Sequence, residues 1–229
     1  MDELVITIDG PAGSGKTTVA KALAQKFNLP LLESGALYRT ITFAFKEKGI
    51  NLKKLAKDEE LKEKIQEILS KIEARITPYG TEIIFEGKLL HGELRSKEVE
   101  AAVSEISAHP LIREAITNYL RDLVKGRRII TEGRDMGSVV FPEAKLKFFL
   151  TADLLERARR RAKDFPERTL DEIKENLLIR DQKDSEREVS PLVVPKEAII
   201  IDTTKLSLEE VIEKISSIIK MKLCLKEKN

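Results

Sequence analysis

Gly10-Pro11-Ala12-Gly13-Ser14-Gly15-Lys16-Thr17 places glycines, a lysine and a hydroxyl at the spacing G-x-x-x-x-G-K-[ST]. Glycines let successive backbone N–H groups turn inward around an anion, and a helix starting at the end of the loop adds partial positive charge. Lys16 can then reach the β- and γ-phosphates of a nucleoside triphosphate and neutralise charge as a bond breaks. Thr17 offers its hydroxyl to Mg²⁺ and Thr18 follows in the first helical turn. The expectation is therefore ATP with Mg²⁺, held from Gly10 through Thr18. A GTPase would carry an N-K-x-D element after a later strand, and the sequence has none. A motor or transporter ATPase would be larger than 229 residues. Phosphoryl transfer to a small acceptor remains, so an acceptor site must exist.

Two segments supply its chemistry. Glu33-Ser34-Gly35-Ala36-Leu37-Tyr38-Arg39 follows one apolar run, and Glu132-Gly133-Arg134-Asp135-Met136-Gly137 follows another. Ligands of open parallel α/β sheets bind outside the carboxyl ends of the strands, so both segments point to the crevice of the phosphate loop. Arg39 and Arg134 suit bidentate capture of a phosphate. Farther on, Arg180, Asp184 and Arg187 share one face at helical spacing, which suits either a solvated ion-pair helix or a cleft wall. Arg157, Arg159, Arg160 and Arg161 form a surface face or an arm that brings arginines, Arg157 first, over ATP and excludes water. His91 and His109 read as loop or cap residues.

The elements that must position these groups are legible as short apolar runs: Leu4–Ile8, Leu31–Leu32, Arg128–Thr131, Leu146–Leu150 and Ala198–Ile201. Most are continuously apolar, as in parallel strands covered on both faces. Helical patterns span Thr17–Phe27, stopping at Asn28-Leu29-Pro30, and Leu206–Leu223, opening at Ser207. This alternation gives an α/β fold with a five-stranded parallel sheet flanked by helices. One stretch differs. A charged helical segment, Asp58–Glu73, precedes Ala74–Pro78, a Tyr79-Gly80 turn, Thr81–Glu86 and Lys88–Leu90, which read as antiparallel strands. Helical patterning resumes from Ser96 to Val124. The expectation is one domain over residues 1–229 with an insertion at about 60–104.

Hydrophobic residues make up 41% of the chain, enough for a real core, and charged residues 35%, above the roughly 25% of average domains. The net charge of +2 favours neither a nucleic-acid nor a membrane partner. No apolar stretch approaches the about 18 residues of a spanning helix. The opening residues do not read as a signal peptide. Cys224 is the only cysteine, which excludes an intramolecular disulfide and a Cys-rich metal site and fits a reducing cytoplasm. Cys224 itself is expected to be a core or surface filler, and a monomer is the expectation in the absence of a heptad seam.

Five segments together resemble the bacterial cytidylate kinase family: the nine residues from Gly10, Ser-Gly-Ala-Leu-Tyr-Arg from Ser34, Gly-Arg-Asp-Met-Gly-Ser-Val-Val-Phe-Pro from Gly133, Arg-Asp-Gln-Lys-Asp-Ser-Glu-Arg from Arg180, and Ser190-Pro191-Leu192. The resemblance implies a P-loop kinase core that phosphorylates CMP, and dCMP as well, from ATP, with Lys16, Arg134 and Arg180 as the catalytic set. It implies that Ser34, Tyr38 and Arg39 line the monophosphate side, with Arg39 and Arg134 on the phosphate. Ser104 and Arg113 fall where the family reads cytosine, helped by Asp135 and Arg187, while Arg180 and Asp184 meet ribose and phosphate. The insertion becomes an enlarged monophosphate-binding unit and residues 153–175 a short lid. The chain departs from the family pattern at Thr17, Glu33, Glu132 and Lys183, without losing an implied ligand. From the residues alone, kinases of UMP, AMP or shikimate and a non-catalytic ATP-binding module stay open. The resemblance supplies cytosine.

Overall fold

The computed structural model describes residues 3–52 and 57–224, with side chains described as far as residue 222. Cys224 therefore lies at the end of a helix, and its side chain falls outside the described set.

Five strands form one parallel sheet: β1 (Leu4–Asp9), β2 (Leu31–Glu33), β6 (Arg128–Glu132), β7 (Leu146–Thr151) and β8 (Ile199–Asp202), in the order β2-β6-β1-β7-β8. Every residue of β1 is buried, as a continuously apolar central strand requires. β8 departs from that expectation. It is an edge strand, and its Ile200 is 56% exposed while Ile201 is fully buried, so only one of its faces is covered. Register fixes the site. Ile8 pairs with Glu132 across β1 and β6, and Glu33 pairs with Glu132 across β2 and β6, so three strand ends meet at one place.

Helices cover both faces. α1 (Lys16–Phe27) and α8 (Leu208–Cys224) pack on one, burying Val19, Leu23, Val211 and Ile215 against Ile6 and Phe148. α1 ends where its sequence signals, because Asn28 adopts a left-handed conformation (φ 49°) and its N–H caps the last carbonyls. Ser207 Oγ accepts the Glu210 N–H at the start of α8, as its type suggests. The other face carries α2 (Ser34–Glu47), α3 (Asp58–Ser70) and α5 (Pro110–Val124), with Ile41, Phe45, Ile65, Ile112 and Leu120 in one continuous core.

The antiparallel strands are present as β3 (Ile72–Thr77), β4 (Gly80–Phe85) and β5 (Lys88–Leu90), a three-stranded sheet in that order. The turn sits at Pro78-Tyr79, one residue before the expected position, since Gly80 already pairs with Thr77. The charged helix is shorter than its pattern: it stops at Ser70, and Ile72 and Glu73 pair with Phe85 and Ile84. Residues 96–124 form two helices, α4 (Lys97–Ala108) and α5, broken at His109 before Pro110. His109 is thus a cap residue, and His91 stands before a short 3₁₀ turn at Gly92–Arg95. The expected limits at 60 and 104 fall inside α3 and α4.

Two further helices close the site. α6 (Leu154–Ala162) follows β7, and α7 (Leu170–Ser185) opens on a capping box between Thr169 and Glu172. They form a small core of their own, with Ala158, Ile173 and Leu177 packed against Ala12 of the phosphate loop. The expected lid limit at 175 lies within α7.

Candidate active site

The phosphate loop leaves β1 at Gly10, where φ is +146°. A Cβ there would lie 2.0 Å from the Leu150 carbonyl oxygen of β7, so glycine alone lets the chain pass the sheet. The Pro11 carbonyl accepts from Ser14 Oγ (3.0 Å) and from Lys16 Nζ (2.7 Å), which folds the lysine back over the loop. Thr17 Oγ1 donates to Glu132 Oε1 at 3.2 Å. Burial pushes the Lys16 ammonium down, Arg134 adds to that, and Glu132 and Asp9 oppose it. Burial likewise pushes the Glu132 carboxyl up, against the attraction of Lys16. The loop is built to receive anionic charge that it does not itself contain.

A cleft of about 1370 Å³ runs from this loop past the ends of β2 and β6. Ser34, Tyr38 and Arg39 line it from α2, Arg134 and Asp135 from the segment after β6, and Arg180, Asp184 and Arg187 from α7 and just beyond. Asp9 shapes that segment: its carboxylate accepts from the Met136 and Gly137 N–H groups at 2.8 and 2.7 Å. Burial pushes its carboxyl up to about 7, although both backbone donors favour the charged form. Gly137 can approach because it lacks a side chain; a Cβ would lie 2.6 Å from Thr7 Oγ1. Ser34 Oγ donates to the Glu132 carbonyl (2.9 Å), tying α2 to β6.

At the far end Arg113 of α5 is 1% exposed and meets Asp135 at 2.5 Å, while its other nitrogen donates to the Ser107 carbonyl at 2.9 Å. Its guanidinium carbon lies 5.1 Å from the Tyr38 ring centroid. Arg134 donates to Asp184 at 3.0 Å, and Arg187 reaches the other Asp184 oxygen at 3.2 Å. α7 has already ended at Ser185, so Arg187 meets Asp184 from the irregular segment that follows and not from the shared helical face that its spacing suggests. Burial and neighbouring Arg134 push Arg180 down to about 10, which leaves it cationic at neutral pH.

Against this geometry the comparisons with known proteins are specific. The family profile described as cytidylate kinase matches residues 6–221. The chain belongs to the cytidylate kinase family. The cytidylate kinase of Thermosipho melanesiensis is 39% identical over 221 residues, covering 95% of this chain and 97% of that one. The cytidylate kinase of Fervidobacterium nodosum is 41% identical over 219 residues, covering 94% and 95%. Among solved structures, an uncharacterized protein from Eubacterium ventriosum superposes with a TM-score of 0.53 over 96% of this chain and 99% of its own, at 13% identity, a likeness of fold alone.

For this cytidylate kinase family member, four residues expected in the site do not line the cleft: Gly10 and Pro11 at the start of the loop, Arg157 and Ser104. Arg157 is buried behind the phosphate loop, donating to the Ala12 and Ala152 carbonyls and paired with Asp181. It braces the loop, and the α6 arginines that face the cleft are Arg160 and Arg161. Arg157 and Arg160, three residues apart, flank one face of α6, so the orientation of the helix about its axis had to be known to rank them. Ser104 is likewise not part of the cleft wall, which α4 supplies through Glu100, Val103 and Ser107. Sequence reasoning also missed Thr203, Leu206 and Leu208, which line the phosphate-loop end after β8. The strand-end rule that found the segments after β2 and β6 would have found them too.

Proposed function

We propose that the protein transfers the γ-phosphoryl group of ATP to CMP, and to dCMP, giving CDP or dCDP and ADP as a step of pyrimidine nucleotide metabolism. The observation that carries this reading is that Lys16 and the acceptor-side arginines Arg39, Arg134 and Arg180 line one continuous cleft. Membership of the cytidylate kinase family supplies the base.

An acceptor phosphate oxygen is already negative at neutral pH, so no general base is needed, and catalysis is positioning plus charge neutralisation. Backbone N–H groups from Gly10 to Thr18 cradle the triphosphate of ATP. Lys16 leaves the Pro11 carbonyl for the β- and γ-phosphates. Arg39, Arg134 and Arg180 hold the CMP phosphate in line with the γ-phosphorus, with Ser34 and Tyr38 beside it. Arg113, Asp135 and Arg187 form the base end, and Asp184 orients Arg134 and Arg187 towards ribose and phosphate. Lys16, Arg134 and Arg180 stabilise the charge-rich transition state.

No group of three or more metal-ligating side chains occurs among the described residues. Mg²⁺ commonly keeps its waters and takes one or two protein oxygens plus phosphates, so the Thr17 hydroxyl beside the Glu132 carboxylate fits it. When held there by Thr17, with Glu132 beside it, the ion would offset the negative charge of the phosphates. Residues 60–104 act as a monophosphate-binding insertion and 153–175 as a lid that excludes water. No helix among the described residues is long and apolar enough to cross a membrane; a cytoplasmic location and a monomeric state are part of the proposal.

Coupled ADP release with ATP and Mg²⁺ tests the reading across CMP, dCMP, UMP, AMP, GMP and shikimate. CMP and dCMP should stimulate most. Absence of stimulation by every pyrimidine monophosphate overturns it.

A further inference from the structure

The arginines assigned to the acceptor phosphate are already engaged. One carboxylate, Glu100 on the cleft side of α4, gathers two of them, Arg39 and Arg180, together with Arg161, from three different elements. One of its oxygens accepts from Arg39 of α2. The other accepts from Arg161 of α6 at 2.7 Å and lies 4.0 Å from Arg180 of α7. Its side chain is 23% exposed and forms part of the cleft wall. Two anionic oxygens shared among guanidinium groups is the arrangement that a phosphate makes with the same donors.

We propose that Glu100 is a positioning and specificity-determining residue: an internal stand-in for the acceptor phosphate, which orders the arginines and is displaced when the phosphate arrives. This rests on the reading that Arg39 and Arg180 bind that phosphate.

The chemistry follows from charge. Partial burial alone would raise the Glu100 carboxyl, yet its hydrogen bond to Arg39 and the charges of Arg39, Arg180 and Arg161 outweigh this and hold it below the usual carboxylate range. Glu100 is thus anionic at neutral pH and competes as a single negative charge. A phosphate monoester, with nearly two charges and three acceptor oxygens, wins that exchange. A monoanionic carboxylate ligand gains nothing over the residue already there. The cleft is thereby selective for phosphate dianions, and its arginines are ordered in advance at the expense of some affinity. Displacement also releases Arg161, on the helix beside the phosphate loop, so acceptor arrival and coverage of the donor are coupled through one side chain.

The test uses the full chain with ADP present, so that the phosphate loop is filled. Binding of CMP and of cytidine is measured by calorimetry for wild type, Glu100→Gln and Glu100→Ala, with a thermal melt of each. A partly exposed ion pair is worth at most about a factor of five, so losing the competitor should tighten CMP binding about three- to five-fold. KM for CMP should fall in parallel. Cytidine, lacking the phosphate, should bind all three proteins within about two-fold, a contrast that a merely structural role would not produce. CMP binding that is unchanged or weaker in both folded variants overturns the stand-in while leaving wild-type turnover of CMP intact. Wild-type protein that neither binds nor phosphorylates CMP overturns both readings together.

Discussion

Arg113→Met removes one member of the most deeply buried ion pair in the cleft. Both side chains of the pair are 2% exposed, and they meet at 2.5 Å. Methionine fills the arginine stem but leaves the Asp135 carboxylate without its hydrogen bond and the Ser107 carbonyl without its donor. Arg187 stays within electrostatic range of Asp135 but is bonded to Asp184, so it compensates only in part. Breaking a buried pair from one side costs about 3–5 kcal/mol. At about 2–4 °C per kcal/mol for a chain of this size, the melting temperature should fall by roughly 6–20 °C. Circular dichroism near neutral pH measures it. Arg113→Met with Asp135→Leu should recover more than half of the loss, since no unpaired charge remains buried. A single-variant drop below about 2 °C, or no recovery in the double variant, refutes the assignment of this pair as a structural clamp. Activity adds a second reading at permissive temperature. kcat/KM should fall more for CMP than for UMP, because the pair is proposed to form the base end of the cleft; equal losses would assign Arg113 to the fold alone.

Lys16→Met should cut kcat/KM by about 10²–10³-fold, since its ammonium is proposed to meet charge that develops on the phosphates. Melting should barely change, because that ammonium is held by a carbonyl of its own loop; retention of more than a tenth of wild-type activity would contradict the role. Thr81→Val should loosen the three-stranded sheet, whose β4 docks on β2 through Thr81 Oγ1, donor to the Leu31 carbonyl at 2.8 Å and acceptor from the Glu33 N–H at 2.8 Å. The expected cost is about 1–3 kcal/mol, read as lost amide protection in β4; unaltered exchange there would show that the sheet is held by packing alone. The Asp9 carboxyl should titrate near 7 by carbon NMR, against its ordinary 3.8. Between those values the folded chain holds a proton that the unfolded chain has lost, so this group's contribution to stability falls as pH rises through the window and is flat above it. A midpoint near the ordinary value would mean that the two backbone donors outweigh burial.

The strands and the phosphate loop were legible because each is specified locally. A run such as Leu4–Ile8 has one reading as a buried parallel strand, and the loop pattern has a fixed geometry. The insertion was legible as antiparallel strands for the same reason. Its limits were not, because α3 and α4 continue their helical pattern across them, and the stop at Ser70 is set by Ile72 pairing with Phe85. The site residues divide likewise. Ser34, Arg39, Arg134 and Asp135 follow strand ends and needed only topology. Arg157 and Ser104 sit on helices, where the cleft wall adjoins the packing face and the rotation of the helix decides which of the two a residue joins. The orientation of α4 and α6 about their axes is a tertiary fact. Glu100 carried no signal at all: one glutamate among many on charged helices becomes a site residue only when α2, α4, α6 and α7 converge.

That convergence bears on how the cluster of arginines is tolerated. Arg39, Arg113, Arg134, Arg161, Arg180 and Arg187 stand close together, a concentration of like charge that would drive the elements apart if nothing opposed it. Three carboxylates, Glu100, Asp135 and Asp184, divide the six among themselves. They differ in what they can give up. Asp135 is fully buried with Arg113, and exchanging it for a ligand would strand a charge, so that pair stays as a wall. Glu100 is about a quarter exposed and can swing to water at little cost, so its arginines are the ones that an incoming phosphate can claim. Asp184 lies between these limits, at 14% exposed, and holds Arg134 through a single hydrogen bond. Burial thus sorts carboxylates of the same charge into fixed and exchangeable partners. The gradient from Asp135 to Glu100 runs from the proposed base end of the cleft towards the proposed phosphate end, where that reading requires exchange.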